Sequence, residues 1–228
     1  SYKKLANYLS DEYDVVTFPY DWRIPVAESA KALNDKIIEL RKHNQPIKII
    51  AHSMGGLVAR EFILNHTDTW SILNEMTGFK LVLLGTPWMG SYRIPNVLAG
   101  RDGIIKQLDA LDYSHSKTEL INLFAKFPGI LNLLPVRKTD PDFSDETFWK
   151  TFQQASGIVW TIPSKATLEE FGAFRKQVQE KVDAIDYSNI RYVAGLDKET
   201  IKGLTIENGL LQFHATAKGD QSVTWESG

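Results

Sequence analysis

The hydrophobic pattern at the start of the chain predicts two helices. Leu5 and Leu9 lie four residues apart, so residues 1–9 are expected to form the end of a helix. Five apolar residues between positions 26 and 40 follow at spacings of four, three, four and three, on one face of a helix of about five turns. They are Val26, Ala30, Leu33, Ile37 and Leu40. Pro46 stops this pattern, because proline cannot continue a helical hydrogen-bond ladder.

Short β-branched and apolar runs predict strands, the first of them buried. They lie at residues 13–18, 47–51, 80–84 and 189–194. A predicted helix at 57–64 separates the second run from the third, and this strand-helix-strand order is typical of βαβ units. We therefore expect an α/β fold with a mainly parallel sheet and helices on both faces. Asn208-Gly209 lies between two further β-prone runs and predicts a hairpin over 203–214.

About a hundred residues separate the predicted strands at 80–84 and 189–194, and a single crossover needs far fewer. This interval must hold an inserted helical subdomain. The sequence thus divides into a core segment at 1–90, an insert at 91–187 and a second core segment at 188–228.

Composition narrows the possible functions. The 228 residues are 43% apolar and 24% charged, which favours a packed core. A net charge of -2 argues against a nucleic-acid partner. The chain has no cysteine, which excludes a disulfide scaffold and a thiolate nucleophile and favours a reducing, cytoplasmic location. No apolar run approaches the roughly 18 residues of a membrane span, no signal peptide is recognised, and no metal or organic cofactor is predicted.

The segment Ala51-His52-Ser53-Met54-Gly55 lies between a predicted strand and a predicted helix. A small residue two positions before and after a serine, in this context, is typical of a nucleophile elbow. Such a turn exposes the Ser53 hydroxyl as the candidate nucleophile. It also directs the Met54 N–H to where an oxyanion would form, at the positive end of a helix dipole. His52 is a candidate base, but adjacent side chains on a tight turn diverge, which favours packing against neighbouring elements.

Four segments together resemble the lecithin:cholesterol acyltransferase-like family of α/β-hydrolases. They are Pro-Tyr-Asp-Trp-Arg at 19–23, the serine motif at 51–60, Gly-Thr-Pro-Trp-Met-Gly-Ser at 85–91 and Gly-Asp-Gln-Ser-Val at 219–223. The resemblance implies an α/β-hydrolase fold in which the insert is a lid. It implies a serine enzyme that transfers or hydrolyses acyl groups of lipids, an O-acyltransferase or a lipase or phospholipase, through an acyl-Ser53 intermediate.

The resemblance implies that Asp220 is the acid of the catalytic triad. The family usually has glycine-threonine after this aspartate, whereas Gln221 and Ser222 follow it here. A generic hydrolase interpretation offers Asp197, just after the strand at 189–194. Either aspartate could instead be an ordinary turn residue.

A triad of this fold follows the order serine, acid, histidine, and no histidine follows Asp220. The five histidines of the chain are His43, His52, His66, His115 and His214. His214 is the best internal substitute, although it also fits an ordinary strand histidine. The second oxyanion donor normally comes from a loop that would precede Ser1, so we expect a fold truncated at both ends and a chain nearly inactive by itself. A catalytically inactive domain that acts as a binding module is the alternative.

Two tryptophans are predicted to contact substrate. Trp88 follows the carboxyl end of a strand, where ligands approach an open α/β sheet, although such an aromatic residue also fits a place in the core. Trp22 lies in the Tyr-Asp-Trp-Arg motif. Three residues of this motif, Tyr20, Asp21 and Arg23, could orient loops of the site. Alternatively, Asp21 and Arg23 could form a buried structural pair. The predicted partner is a lipid or ester substrate, at a membrane surface, which the apolar stretch 127–135 of the insert would help to accept.

Overall fold

The computed structural model describes residues 2–104 and 116–228, and its central element is a three-stranded parallel sheet. The strands are β1 (Lys48–His52), β2 (Lys80–Leu84) and β3 (Ile190–Val193), in the order β1-β2-β3. Ile49 pairs with Leu81, and Leu81 pairs with Ile190. The predicted parallel sheet is therefore confirmed, and all three strands end at the same edge.

Helices flank this sheet, and the predicted ones are present. The helices of the first core segment are α1 (Lys3–Leu9), α2 (Val26–Arg41), α3 (Gly55–Asn65) and α4 (Thr67–Glu75). The described helices of the insert are α5 (Arg93–Leu98), α6 (Lys117–Ala125), α7 (Pro128–Leu131), α8 (Glu146–Ser156), α9 (Lys165–Lys181) and a short 3-10 helix (Val182–Ala184). The apolar face of α2 contacts α3, which follows β1 directly. In the described part of the insert, regular structure is entirely helical, as its sequence predicts.

The hairpin predicted around Asn208-Gly209 is confirmed. Its strands are β4 (Thr200–Glu207) and β5 (Leu210–Thr216), which pair in antiparallel register. Asn208 and Gly209 have φ angles of 51° and 75°. Two consecutive positive φ angles match the twist of the flanking strands, which is why this dipeptide is favoured here.

The strand predicted at 13–18 is wrong. Residues 14–21 have no regular secondary structure, and Val15 and Val16 are 39% and 49% exposed. A strand needs a neighbour to satisfy its backbone, and in the described residues β1 pairs with β2 alone. Tyr13 instead places its ring under the Lys48 ammonium group, 5.0 Å from the ring centroid.

The aromatic residues of the insert lie in the core. Trp149 is fully buried, and its ring contacts Phe143, Phe152 and Trp160. These side chains belong to the same hydrophobic cluster as β2 and α3. The insert is thus packed against the sheet layer by a continuous apolar contact.

Helix α3 approaches the loop after β2 so closely that one of its two first residues must be glycine. A Cβ on Gly56 would lie 2.7 Å from the Cβ of Thr86, which is fully buried. A Cβ on Gly55 would meet only ordinary contacts, at 3.7 Å from the Tyr20 hydroxyl oxygen and 3.9 Å from the Ala51 Cβ. Close approach is therefore a requirement at position 56 and not at 55.

We predict that Gly56→Ala lowers the free energy of unfolding by about 1–3 kcal/mol, because the added methyl group overpacks the contact with Thr86. Gly55→Ala is the matched control and should be neutral or more stable by about 0.4–1 kcal/mol, since alanine restricts the unfolded chain. Urea unfolding followed by circular dichroism measures both. Equal stability of the two variants would contradict this account of the contact.

Candidate active site

Ser53 lies at the turn that joins β1 to α3. Its φ angle is 52°, a left-handed conformation that costs a residue with a side chain roughly 1–2 kcal/mol. The backbone is held there because the Ser53 N–H donates to the Leu84 carbonyl oxygen of β2 at 2.9 Å. The side chain remains half-buried. A strained serine between strand and helix is the geometry predicted for a nucleophile elbow.

Met54 places its backbone N–H at the amino end of α3. Its side chain is buried, while the N–H has no acceptor within residues 2–104 and 116–228. A helix amino terminus carries partial positive charge, so this N–H is available to a developing oxyanion. The role of Met54 in an oxyanion hole stays a prediction.

Tyr20 and His52 lie next to the turn that carries Ser53. The Tyr20 hydroxyl group lies over Gly55, and burial raises the pKa of Tyr20, with a further contribution from Tyr2. His52 accepts or donates a hydrogen bond with the Tyr2 hydroxyl group through Nδ1, at 2.7 Å. The His52 ring thus contacts the residue that precedes α1, in agreement with the packing interpretation of His52.

Asp220 lies beside the carboxyl ends of β2 and β3. A Cβ on Gly85 would lie 2.9 Å from its Oδ2, and a Cβ on Gly195 would lie 2.7 Å from its Cβ. Its Oδ1 accepts hydrogen bonds from the N–H groups of Ser222 and Val223, at 3.0 and 2.8 Å. Since Gly85 follows the residue that binds the Ser53 N–H, the structure brings the Asp220 turn to the strand ends that hold Ser53.

Asp197 has a different set of partners. Its Oδ2 accepts from the Gln221 amide at 2.8 Å, and its Oδ1 accepts from the Lys198 N–H at 2.6 Å. Gln221 has a φ angle of 75°, where the family usually has glycine, and its N–H donates to the Thr200 hydroxyl group. Asp197 therefore holds a strained neighbour of Asp220. This geometry explains how glutamine occupies the position after the aspartate.

The pKa of Tyr192 depends in part on the charge of Asp220. Its hydroxyl group donates to the Thr86 carbonyl oxygen at 2.9 Å. Burial, followed by the charge of Asp220, raises the pKa of Tyr192 to about 12. The Tyr192 phenol is thus an internal probe of where the Asp220 carboxylate lies.

None of the histidines in the described residues hydrogen-bonds to the Ser53 hydroxyl group, which has no hydrogen-bond partner there. His214 bonds through Nε2 to the Thr205 hydroxyl group at 3.0 Å across the hairpin, and the ring of His66 stacks on Phe62. His115 lies outside the described residues. His214 thus has the contacts of an ordinary strand histidine.

The two predicted substrate-contacting tryptophans differ in exposure. Trp88 is 5% exposed, and its indole N–H donates to the Tyr187 hydroxyl group at 3.3 Å. Trp22 is 43% exposed and contacts the ring of Phe127 of the insert edge to face. Trp22 thus presents a surface that ligand could reach, whereas Trp88 lies in the core.

The motif at 19–23 also forms an ion pair. Arg23 binds both carboxylate oxygens of Asp21, at 2.8 and 2.7 Å, and this guanidinium holds the pKa of Asp21 at about 2. The pair is exposed, so the expectation of a buried structural pair is wrong. The motif contacts the insert through its backbone, where the Arg23 carbonyl oxygen accepts from the Gly129 N–H.

Arg60 is a buried residue that sequence reasoning missed. On α3 its guanidinium is fully buried, pairs with Glu61 at 3.2 Å and donates to the Trp88 carbonyl oxygen. It also lies 5.2 Å from the ring centroid of Phe174 on α9, and burial lowers the pKa of Arg60. A neighbouring arginine and glutamate within a largely apolar helix were the available signal. Its contacts join α3 to the loop after β2 and to the insert.

A cleft of about 970 Å³ separates the hairpin from the insert. Tyr92, Asp140, Lys202 and His214 contribute to its lining, and Ser53 does not. Tyr92 donates to Asp140 at 2.9 Å, and burial raises the pKa of both groups.

His, Asp and Glu side chains of the described chain form no group suited to hold a metal ion.

The parallel sheet, its flanking helices and the serine at the strand-helix turn define the chain as an α/β-hydrolase. A model of the lecithin:cholesterol acyltransferase family matches residues 4–217. The chain belongs to this family. The match ends before Asp220, so the turn that carries Asp220 lies just beyond it.

Individual relatives cover only part of the chain. It is 33% identical to mouse (Mus musculus) phosphatidylcholine-sterol acyltransferase over 99 residues, which make up 42% of this chain and 22% of that protein. It is 28% identical over 167 residues to the human (Homo sapiens) lysosomal phospholipase A and acyltransferase, covering 64% of this chain and 40% of that protein. The matched regions are thus a minority of each relative's length.

Among solved structures, the crystal structure of the Tle4-Tli4 complex resembles the fold. The TM-score is 0.56 at 14% sequence identity, with 91% of this chain and 57% of that chain covered. Identity this low shows similarity of fold alone.

We predict that Asp220→Asn lowers the pKa of Tyr192 from about 12 toward the ordinary value of 10, because a nearby negative charge disfavours the tyrosinate. Part of the elevation should remain, since burial contributes most. NMR titration of ¹³C-labelled tyrosine, assigned with Tyr192→Phe, measures the shift. Asp197→Asn is the control and should leave this pKa in place; an unchanged value in Asp220→Asn would contradict the placement of the carboxylate.

Proposed function

We propose that this chain carries the nucleophile and the acid of a lipid O-acyltransferase or lipase-type serine hydrolase that works through an acyl-Ser53 intermediate. Membership of the acyltransferase family and the names of its relatives support acyl transfer or hydrolysis on lipids. The observation that carries the proposal is the left-handed Ser53 at the strand-helix turn, followed by the Met54 N–H, which has no acceptor among the described residues.

In the proposed reaction, the Ser53 oxygen attacks the carbonyl carbon of a lipid ester while a base removes the hydroxyl proton. The carbonyl oxygen becomes an oxyanion, which the Met54 N–H stabilises. The tetrahedral intermediate then expels the alcohol oxygen, which receives from the base the proton that came from Ser53. The acyl group remains on Ser53. Attack by water releases a fatty acid; attack by an alcohol transfers the acyl group to it.

The proposed base is a histidine oriented by Asp220. Since no histidine of the described residues hydrogen-bonds to the Ser53 hydroxyl group, the proposed catalysis requires a histidine from outside the described residues beside it. Asp220 rather than Asp197 is proposed as the acid, because Asp197 is occupied by Gln221.

The proposed substrate is a lipid presented at a membrane surface. Among the helices that the structure describes, none is both long and apolar enough to cross a bilayer. The half-exposed Trp22 beside Phe127 of the insert is the proposed contact for the acyl chain, because apolar and aromatic surfaces favour lipid chains over water.

We predict that a fluorophosphonate probe labels the full-length protein and that Ser53→Ala abolishes the labelling, because the probe reacts with an activated serine hydroxyl. Ser71→Ala, on the exposed side of α4, is the matched control and should label like wild type. In-gel fluorescence measures the difference.

Labelling that survives Ser53→Ala would remove this residue from the nucleophile role. A folded full-length protein that neither reacts with the probe nor turns over a lipid ester would favour the inactive binding module instead.

We predict that Asp220→Asn reduces kcat for a lipid ester by about 10³- to 10⁴-fold in the full-length protein, since an amide no longer stabilises the histidine cation. Asp197→Asn keeps an acceptor for Gln221 and should retain kcat within about 3-fold, a change below 1 kcal/mol. Steady-state kinetics compares the two. The reverse order of effects would assign the acid to Asp197.

A further inference from the structure

We propose that Arg93 and Asp102, both in the insert, are positioning residues that fix the turn carrying Asp220. This inference deepens the proposed function and rests on it, because the turn matters to catalysis only if Asp220 is the acid. Neither residue contacts Ser53 in the structure, so their action is transmitted through Ser222.

Arg93, the first residue of α5, donates from Nη1 to the Ser222 hydroxyl oxygen at 2.6 Å. The other side of its guanidinium faces Asp102, with Nε 3.0 Å from Oδ2 and Nη2 3.4 Å from Oδ1. The Asp102 side chain is 9% exposed and accepts a further hydrogen bond from the Ile104 N–H at 2.8 Å. A planar guanidinium held by two bonds to one carboxylate loses most of its rotational freedom and keeps its other partner, the Ser222 hydroxyl group, at a fixed place.

Ser222 connects Arg93 to Asp220, the proposed acid. Its N–H donates to Asp220 Oδ1 at 3.0 Å, and its carbonyl oxygen accepts from the Ser91 hydroxyl group. The Ser91 oxygen in turn accepts from the Arg93 N–H at 3.1 Å. All three polar groups of Ser222 are thus bonded, one to the acid and two to the segment around α5.

The turn needs such a restraint because its own backbone is strained. Gln221, between Asp220 and Ser222, has the left-handed φ angle of 75°. Left alone, a glutamine there gains roughly 1–2 kcal/mol by leaving this conformation. The bond from Arg93 to Ser222, which Asp102 helps to fix, opposes that relaxation on one side of Gln221. The bond from the Gln221 amide to Asp197 opposes it on the other. Catalytic groups must be held within about 0.5 Å of the productive geometry, so relaxation of this turn would affect the proposed reaction.

The test uses two variants and the Tyr192 probe, which needs no activity. Ser222→Ala removes the bond to Arg93 without changing charge, and Arg93→Met removes the cation. Each should lower the pKa of Tyr192 from about 12 in the direction that Asp220→Asn does, as the carboxylate moves away. Loss of a nearby cation would by itself raise that pKa, so a decrease in Arg93→Met identifies movement of the turn.

Two controls define the structural role. Arg137→Met breaks another bond between the insert and the C-terminal segment, with Glu226 at 2.8 Å, and should leave the Tyr192 pKa unchanged. Ser222→Thr keeps the hydroxyl group and should restore the wild-type value.

In the full-length protein, Ser222→Ala should reduce kcat by about 10-fold or more with KM unchanged, because displacement of about 1 Å costs up to roughly 10²-fold. An unchanged Tyr192 pKa in both variants would overturn the inference even if Ser53 is labelled. A lowered pKa without any Ser53 reactivity in wild type would instead overturn the proposed function and leave the restraint of the turn established.

Discussion

The candidate site depends on one hydrogen bond, which joins the turn that carries Ser53 to the end of β2, near which Asp220 lies. The Ser53 N–H donates to the Leu84 carbonyl oxygen at 2.9 Å, across the parallel ends of β1 and β2. On one side it holds a serine in a left-handed conformation that the isolated turn would leave. On the other side, Leu84 leads into Gly85, against which Asp220 packs. The register of two strands therefore determines where the candidate nucleophile and acid lie.

The elements that depend on local periodicity could be predicted from the sequence. The spacing from Val26 to Leu40 specifies α2, and Asn208-Gly209 specifies the hairpin through its positive φ angles. The turn at Ser53 was also predictable, because a serine with small residues around it between a strand and a helix is typical of this turn. The structure places the strict requirement for glycine at position 56, one residue beyond the predicted pattern. The strand predicted at 13–18 failed because a strand depends on a neighbour as well as on β propensity, and the described residues provide none.

Long-range contacts account for what the sequence could not show. The sequence favours Asp220 over Asp197 through the family resemblance, and only the fold reveals that Asp197 binds Gln221. The role of Arg60 depends on the Trp88 carbonyl oxygen and on Phe174, which lie 28 and 114 positions further along the chain. Arg93 likewise meets Ser222 only because the insert returns to the strand ends. Such partners are specified by packing and have no local pattern.

If Ser53 carries the acyl group during turnover, the acylated serine can be trapped. The full-length protein would be mixed with an excess of a lipid ester, quenched in acid within milliseconds to seconds and digested for peptide mass spectrometry. We expect the mass of one acyl group on the peptide that contains Ser53, and none in Ser53→Ala. Steady product formation with the acyl group on another residue would contradict this role of Ser53.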